Sequence, residues 1–287
     1  MVAVLKKTNQ AKANKKEASW VANLKLQFEY KDAKTTLSKI NHTGPLVVQK
    51  PFYPEKNHIN HTYIVHPPGG IVGGDMLQIN IDCLKKGHAL ITNPGASKYY
   101  RTAGPISNTQ QIISIEEDAC VEWLPQENIV FDGALAKTNT CINLKNNASF
   151  LGWEITCLGR PVGEQPFSKG CFSQSFQIWH EGKPVFIDNT KVDGQGALMA
   201  EPWGLNGNSS YATLIANSAT DAVLDMVRKK LAQNKICASA TLIENLLVCR
   251  LICNRADICK NILIDIWKTI RPELLGHHAN IPRIWNT

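Results

Sequence analysis

Three apolar stretches recur at near-constant spacing: GHALITNP from Gly87, DACVEWLP from Asp118 and NASFLGWE from Asn147. Each has an alanine at its second or third position, and Ala89, Ala119 and Ala148 lie 30 and then 29 residues apart. Each follows a short alternating strand and runs into a turn bearing Gly or Pro. A unit of this length cannot bury its own apolar face, so copies stack and each closes the face of its neighbour. A β-sandwich is the competing arrangement for the same strands.

Strand signals dominate from Trp20 to about Tyr211. Leu24, Leu26, Phe28 and Tyr30 alternate with polar partners, as do Leu77, Ile79, Ile81 and Cys83. Ile113 with Ile115, Ile142 with Leu144, and Phe176 with Ile178 repeat the pattern, and Gly, Pro and Asn clusters cut every run short. The character changes near Ala219. There Val223, Leu224, Val227 and Leu231 form one helical stripe, with Thr220 or Asp221 as cap. Strand text returns from Ile236 to Asn254. A second helix is expected from about Asp257, because Ile258, Ile262, Ile266 and Ile270 recur at i, i+4, with Pro272 just beyond it. The expected fold is mainly β: a β-helical, stacked-strand, solenoid-like body with two α-helices near the C-terminus. No linker divides it, so residues 20–287 read as one domain behind a basic tail, residues 1–19.

The formal net charge is +7, of which Lys6, Lys7, Lys12, Lys15 and Lys16 supply five, leaving about +2 (7 − 5) for the remainder. A dedicated nucleic-acid binder carries its basic face on the folded body, so that class is disfavoured. No apolar run follows the leading lysines as in a secretory signal, and no window is apolar enough to span a membrane. Nine cysteines without regular pairing point to reduced thiols and a cytoplasmic location.

The stretch VHPPGGIVGGD, Val65 to Asp75, tests the phosphate-binding class. Gly69 and Gly74 have the spacing of the outer P-loop glycines, but Asp75 and Met76 stand where that loop needs Lys and Ser or Thr. A carboxylate there repels a triphosphate. No G-x-G-x-x-G fingerprint and no G-x-S-x-G elbow occurs, and Cys249, Cys253 and Cys259 do not match a zinc spacing. The prolines and glycines instead make a tightly turning segment that aims Asp75. His58, His61 and His66 fall within nine residues, and with Asp75 they supply ligands for a metal-dependent hydrolase, the alternative enzymatic reading.

Acidic residues embedded in apolar strands are the remaining signal: Glu122 in ACVEWLP, Glu154 in FLGWEITCLG and Asp188 in PVFIDNT, besides Asp75. A buried carboxylate is costly unless paired, hydrogen-bonded or in contact with water or an ion. Such groups either line a wet path for a cation or bond to backbone amides.

HPPGGIVGGD, LITNPGASKYYRT (Leu90 to Thr102), EWLPQENIVFDGA (Glu122 to Ala134), LGRPVGE (Leu158 to Glu164) and the terminal PRIWNT (Pro282 to Thr287) resemble the UreD family of urease accessory proteins, called UreH in some organisms. The resemblance runs from about Trp20 to the C-terminus. Asn93 and Tyr99 depart mildly from the family pattern.

The resemblance implies a scaffold without catalytic residues of its own. It would bind the urease apoprotein, recruit UreF and, through UreF, the GTPase UreG. The complex would deliver nickel to the urease active site, with no cofactor held permanently. The family is associated with an internal passage for the metal, which makes Asp75, Glu154 and Asp188 candidate lining groups and Ser97 their polar neighbour. Scattered single carboxylates suit transit, since an ion must be able to leave as well as enter. Arg283 and Trp285, with the character of interface hot spots, are candidate partner contacts; Trp285 could equally pack the tail onto the body.

Overall fold

Ile81, Ile113, Ile142 and Ile178 occupy the same position in four neighbouring parallel strands and are all fully buried. This ladder, stepping 32, 29 and 36 residues along the chain, is the spine of the molecule. A computed structural model describes residues 19–56 and 58–286; the lysine-rich segment expected as a tail lies outside them, apart from Ser19.

The strands are β1 (Val21–Lys31), β2 (Lys34–Thr43), β3 (Val47–Val48), β4 (Asn60–Val65), β5 (Met76–Cys83), β6 (His88–Thr92), β7 (Ser97–Tyr99), β8 (Ser107–Ile115) and β9 (Cys120–Trp123). They continue as β10 (Asn128–Val130), β11 (Leu135–Leu144), β12 (Ser149–Leu158), β13 (Cys171–His180), β14 (Lys183–Asp193), β15 (Ser210–Ala216), β16 (Cys237–Ile243) and β17 (Leu246–Cys253). The helices are α1 (Ala197–Ala200), α2 (Asp221–Leu231) and α3 (Ala256–Leu275).

One sheet has seven strands in the order β14-β13-β11-β8-β5-β1-β2, and the other runs β16-β17-β15-β12-β9-β6-β4-β3, with β10 joined to β12 and β7. From β5 to β13 the chain passes back and forth between the two sheets, and strands of successive coils pair in parallel: β5–β8–β11–β13 in one sheet, β6–β9–β12 and β7–β10 in the other. Parallel coiling of this kind is β-solenoid-like and differs from the antiparallel meanders of a β-sandwich. Antiparallel pairs close the stack: β1 with β2 at one end, β13 with β14 and β15–β17–β16 at the other.

The alanine repeat is real but out of register in its first copy. His88, Cys120 and Ser149 stack on one another, so Ala119 and Ala148 correspond to Gly87, while Ala89 pairs with Val121. A Cβ on Gly87 would lie 2.9 Å from both the Cys83 sulfur and the Leu84 carbonyl, which excludes alanine from that coil. The residue before each equivalent position, Lys86, Asp118 or Asn147, has φ of 64°, 59° or 57° and turns the chain from one sheet to the other.

The space between the sheets holds one apolar cluster, and a second lies between the larger sheet and α2 and α3. The predicted stripe of α2 (Val223, Leu224, Val227, Leu231) is buried, and the Thr220 hydroxyl caps the helix by accepting the Val223 N–H at 3.5 Å. In α3, Ile262, Ile266 and Ile270 are buried but Ile258 is exposed. A strict i, i+4 row drifts about 120° around a helix over twelve residues, so its first member leaves the buried face. Pro272 lies inside α3 rather than beyond it, one turn before a left-handed Gly276 whose N–H bonds the Pro272 carbonyl at 3.0 Å. So near the helix end, proline forfeits only one interior bond. The one-turn α1 adds a third helix to the two expected. Among the described residues no helix is long and apolar enough to cross a membrane.

Candidate functional site

Moving from the isoleucine ladder toward the strand starts, the interior turns polar. The next row inward is Ile79, Gln111, Thr140 and Phe176, and the one after it Leu77, Thr109, Thr138 and Gln174. Strand alternation places these side chains on the inner face of the seven-stranded sheet. Glu154 and Thr156 of β12 face them from the other sheet. The Tyr99 hydroxyl donates to Thr109 at 3.1 Å and Thr156 donates to Gln174 at 3.3 Å, whereas the buried Thr138 hydroxyl finds no partner.

Among the described residues Glu154 is the carboxylate in this row of contacts, and its hydrogen-bond partners are uncharged. It accepts hydrogen bonds from the Thr140 hydroxyl and the Gln174 amide. Burial makes it a weaker acid, and these two bonds offset only part of that, leaving its pKa at about 7. Thr140 is also 3.0 Å from the Gln111 carbonyl oxygen, and its single proton can serve only one acceptor at a time.

The other embedded glutamate has the opposite environment. Glu122 accepts three contacts from Arg271, at 2.8, 2.9 and 3.1 Å, one from the Trp267 indole at 2.7 Å, and lies 2.9 Å from His88 Nε2. Burial opposes its charge, yet the His88 hydrogen bond and the Arg271 charge outweigh that and hold it at about 2. The same guanidinium reaches Glu55 at 2.9 and 3.0 Å and also donates to the His278 carbonyl. Glu122 is therefore a fastening for α3, and Glu154 is the embedded acid left without a counter-charge.

Two separate cavities share Glu154 as a lining residue. The first, of about 390 Å³, is lined among others by His66, Gly70, Ser97, Asn128 and Glu154. The second, of about 290 Å³, is lined among others by Glu154, Gln174, Asp188, Trp203 and Arg250. Ser97 thus lines the first cavity, Asp188 the second, and Glu154 both. Asp188 pairs with Arg250 at 2.7 Å across the stack end. Asp75 lines neither cavity: its two oxygens accept the N–H groups of Trp20 and Val72, each at 2.9 Å. It pins the glycine loop, where Gly74 takes φ 92°, and its charge acts on His66 at the mouth of the first cavity.

The four residues of the hydrolase alternative do not form one ligand set. His58 is exposed, His61 is buried with Nε2 2.7 Å from Glu55, His66 lines the first cavity and Asp75 holds backbone. Among the described residues no three His, Cys, Asp or Glu side chains gather where they could hold a metal. At the C-terminus, Trp285 donates to the Thr92 hydroxyl at 2.9 Å and packs 5.8 Å from both Trp153 and Trp267, while Arg283 is exposed. Arg271 and Glu55 escaped the sequence reading. Arg271 follows Trp267 by four residues on the buried face of α3, and a charge on such a stripe demands an embedded acid, which Glu122 supplies.

A family model described as UreD urease accessory protein matches residues 21–286. Proteins named urease accessory protein UreD are similar along nearly their full length. That of Enterobacter sp. (strain 638) is 40% identical over 277 residues, covering 96% of this chain and 98% of its own. The Alcanivorax borkumensis protein is 39% identical over 284 residues, covering 96% of each. The Klebsiella aerogenes protein is 40% identical over 270 residues, covering 93% and 97%. With this match spanning every strand and helix described above, the chain belongs to the UreD family of urease accessory proteins.

Proposed function

We propose that this chain is a non-catalytic scaffold of urease maturation that carries nickel through its interior. It binds apo-urease, recruits UreF and through it UreG, and acts in the cytoplasm as one part of that assembly. The observation that supports the reading is a pair of cavities that share Glu154 as a lining residue. Oxygen-bearing side chains line both, Ser97 in the first, Asp188 in the second and Glu154 in each. Nickel accepts such ligands, and weak sites in series let it move on where a tight cage would retain it. Asp75 serves the path indirectly, by fixing the loop that carries His66 to the mouth.

Co-expression of urease subunits and the other accessory proteins, with and without this chain, tests the reading. Loss of nickel from purified urease in its absence is the expected result. Unchanged nickel content and urease activity would overturn it.

A further inference from the structure

Trp20, Val21, Val72, Met76 and Ile106 are each between 47% and 56% exposed, and backbone contacts draw them into one place. The Trp20 carbonyl accepts the Met76 N–H at 2.8 Å, and Val21 lies opposite Met76 in the parallel pairing of β1 with β5. The Val72 carbonyl accepts the Asp75 N–H at 3.1 Å, and the Ile106 carbonyl accepts that of Gly74 at 3.3 Å. A Cβ on Gly73 would overlap the Thr102 side chain and lie 2.6 Å from the Pro105 carbonyl, so the glycine loop is pressed against the turn that carries Ile106. Single exposed apolar side chains are ordinary, whereas a contiguous group of them marks an interaction site. Asp75 holds this group in place through the Trp20 and Val72 N–H groups, so the patch is already arranged before anything binds.

The charge beside the patch is basic. Residues 1–18, which lead into Ser19 and Trp20, carry five lysines against the single acid Glu17. Lys98 and Arg101 are exposed on the strand and turn beside the loop: the Ile71 N–H bonds the Lys98 carbonyl at 2.7 Å, and the Tyr100 N–H bonds the Ile71 carbonyl at 2.9 Å. Apolar ground with a basic surround is complementary to a protein face that is apolar at its centre and acidic at its rim. Gly69 and Gly70 of the same loop line the first cavity, as do Lys98 and Thr92, whose hydroxyl accepts the Trp285 indole N–H. The patch and the C-terminal segment therefore border the same cavity, and a partner seated there would keep bulk water from its mouth.

We infer that Trp20, Val21, Val72, Met76 and Ile106 form a docking surface for an acidic-rimmed protein face that meets this chain at the mouth of the first cavity. On the maturation reading given above, on which this assignment rests, that face belongs to UreF, because the surface continues to the C-terminal segment that carries Arg283. The apolar side chains supply the contact and the lysines steer its approach. Loss of the first raises the dissociation rate, and screening of the second slows association.

Binding of purified UreF to the immobilised full-length chain, followed by biolayer interferometry, tests the surface. Met76→Glu combined with Ile106→Glu should raise the Kd by about tenfold or more with the melting temperature unchanged. Met76→Ser combined with Ile106→Ser should give a smaller rise of the same sign, and it decides if the glutamate pair does not fold. High salt should slow association with the native chain. A native Kd in the folded variants would overturn the docking surface and leave the maturation reading standing. No capture of UreF by the native chain would overturn both. Binding to vesicles of anionic phospholipid, or self-association, that the variants lose while keeping native UreF affinity would give the patch to a membrane or to a second copy and overturn the assignment.

Discussion

The Arg271 guanidinium lies between Glu122 and Glu55, contacting the first at 2.8–3.1 Å and the second at 2.9–3.0 Å, with Arg271 and Glu122 fully buried. These contacts join residues 149 and 216 positions apart, so the arginine fastens the C-terminal helix to both the stack and the loop before β4. Arg271→Leu would leave two buried carboxylates with only His88 and His61 beside them in place of the guanidinium. It is expected to cost about 3–5 kcal/mol in urea unfolding. A loss below about 1 kcal/mol would mean that the fastening is energetically idle.

The two embedded glutamates respond to pH in opposite directions. Glu122 is held below its ordinary value, so its stabilising contribution is complete above 4.5 and is lost as pH falls toward about 2. Glu154 is raised, so its contribution is present below 4.5 and lost as pH rises through about 7. Glu154→Gln should therefore be more stable than the native chain at about pH 8, by on the order of 3 kcal/mol at most, and nearly equal to it at about pH 4. Urea titrations of both proteins at the two pH values check this. A Gln variant less stable at the higher pH would contradict the environment assigned to Glu154.

Trp285 and Arg283 separate packing from docking. Trp285→Ala removes a ring held between two other tryptophans and should lower stability by about 2–3 kcal/mol, short of the 3–5 of a full core truncation because the residue is partly exposed. Arg283→Ala should leave the melting temperature unchanged while reducing capture of UreF in a pull-down. Equal capture by that variant and by a chain truncated after Ile281 would remove this segment from the interface.

Asp75 and Asp188 should differ in kind. Asp75→Ala strands two backbone N–H groups and is expected to cost about 1–3 kcal/mol in thermal or urea unfolding. Asp188→Ala frees an arginine that is itself more than half exposed, so stability should change by less than about 1 kcal/mol while nickel delivery falls. The reverse pattern would place Asp75, not Asp188, on the path.

Periodicity made the strands and the α2 stripe legible, because alternation and the 3.6-residue turn are local properties of the text. The stacking register was legible only in part. Ala89 resembled Ala119 in sequence, but the coil equivalent is Gly87, and steric crowding against Cys83 appears only once strands from different coils are adjacent. Glu122 and Glu154 looked alike for the same reason. One meets Arg271, 149 residues away, and the other meets only Thr140 and Gln174, a difference of tertiary contact that no local window contains. Ser97, Glu154 and Asp188 were named from the family resemblance together with the cost of burying charge. That Glu154 borders both the cavity lined by Ser97 and the one lined by Asp188 follows from tertiary packing, which no local window contains.

The account stands or falls on cargo passing the junction at Glu154. Nickel per urease active site, measured by elemental analysis after co-expression with Glu154→Ala and the other accessory proteins, tests it most directly. The account predicts a several-fold fall in nickel while the variant still co-purifies with urease and UreF. Full nickel loading of urease by that variant would contradict it.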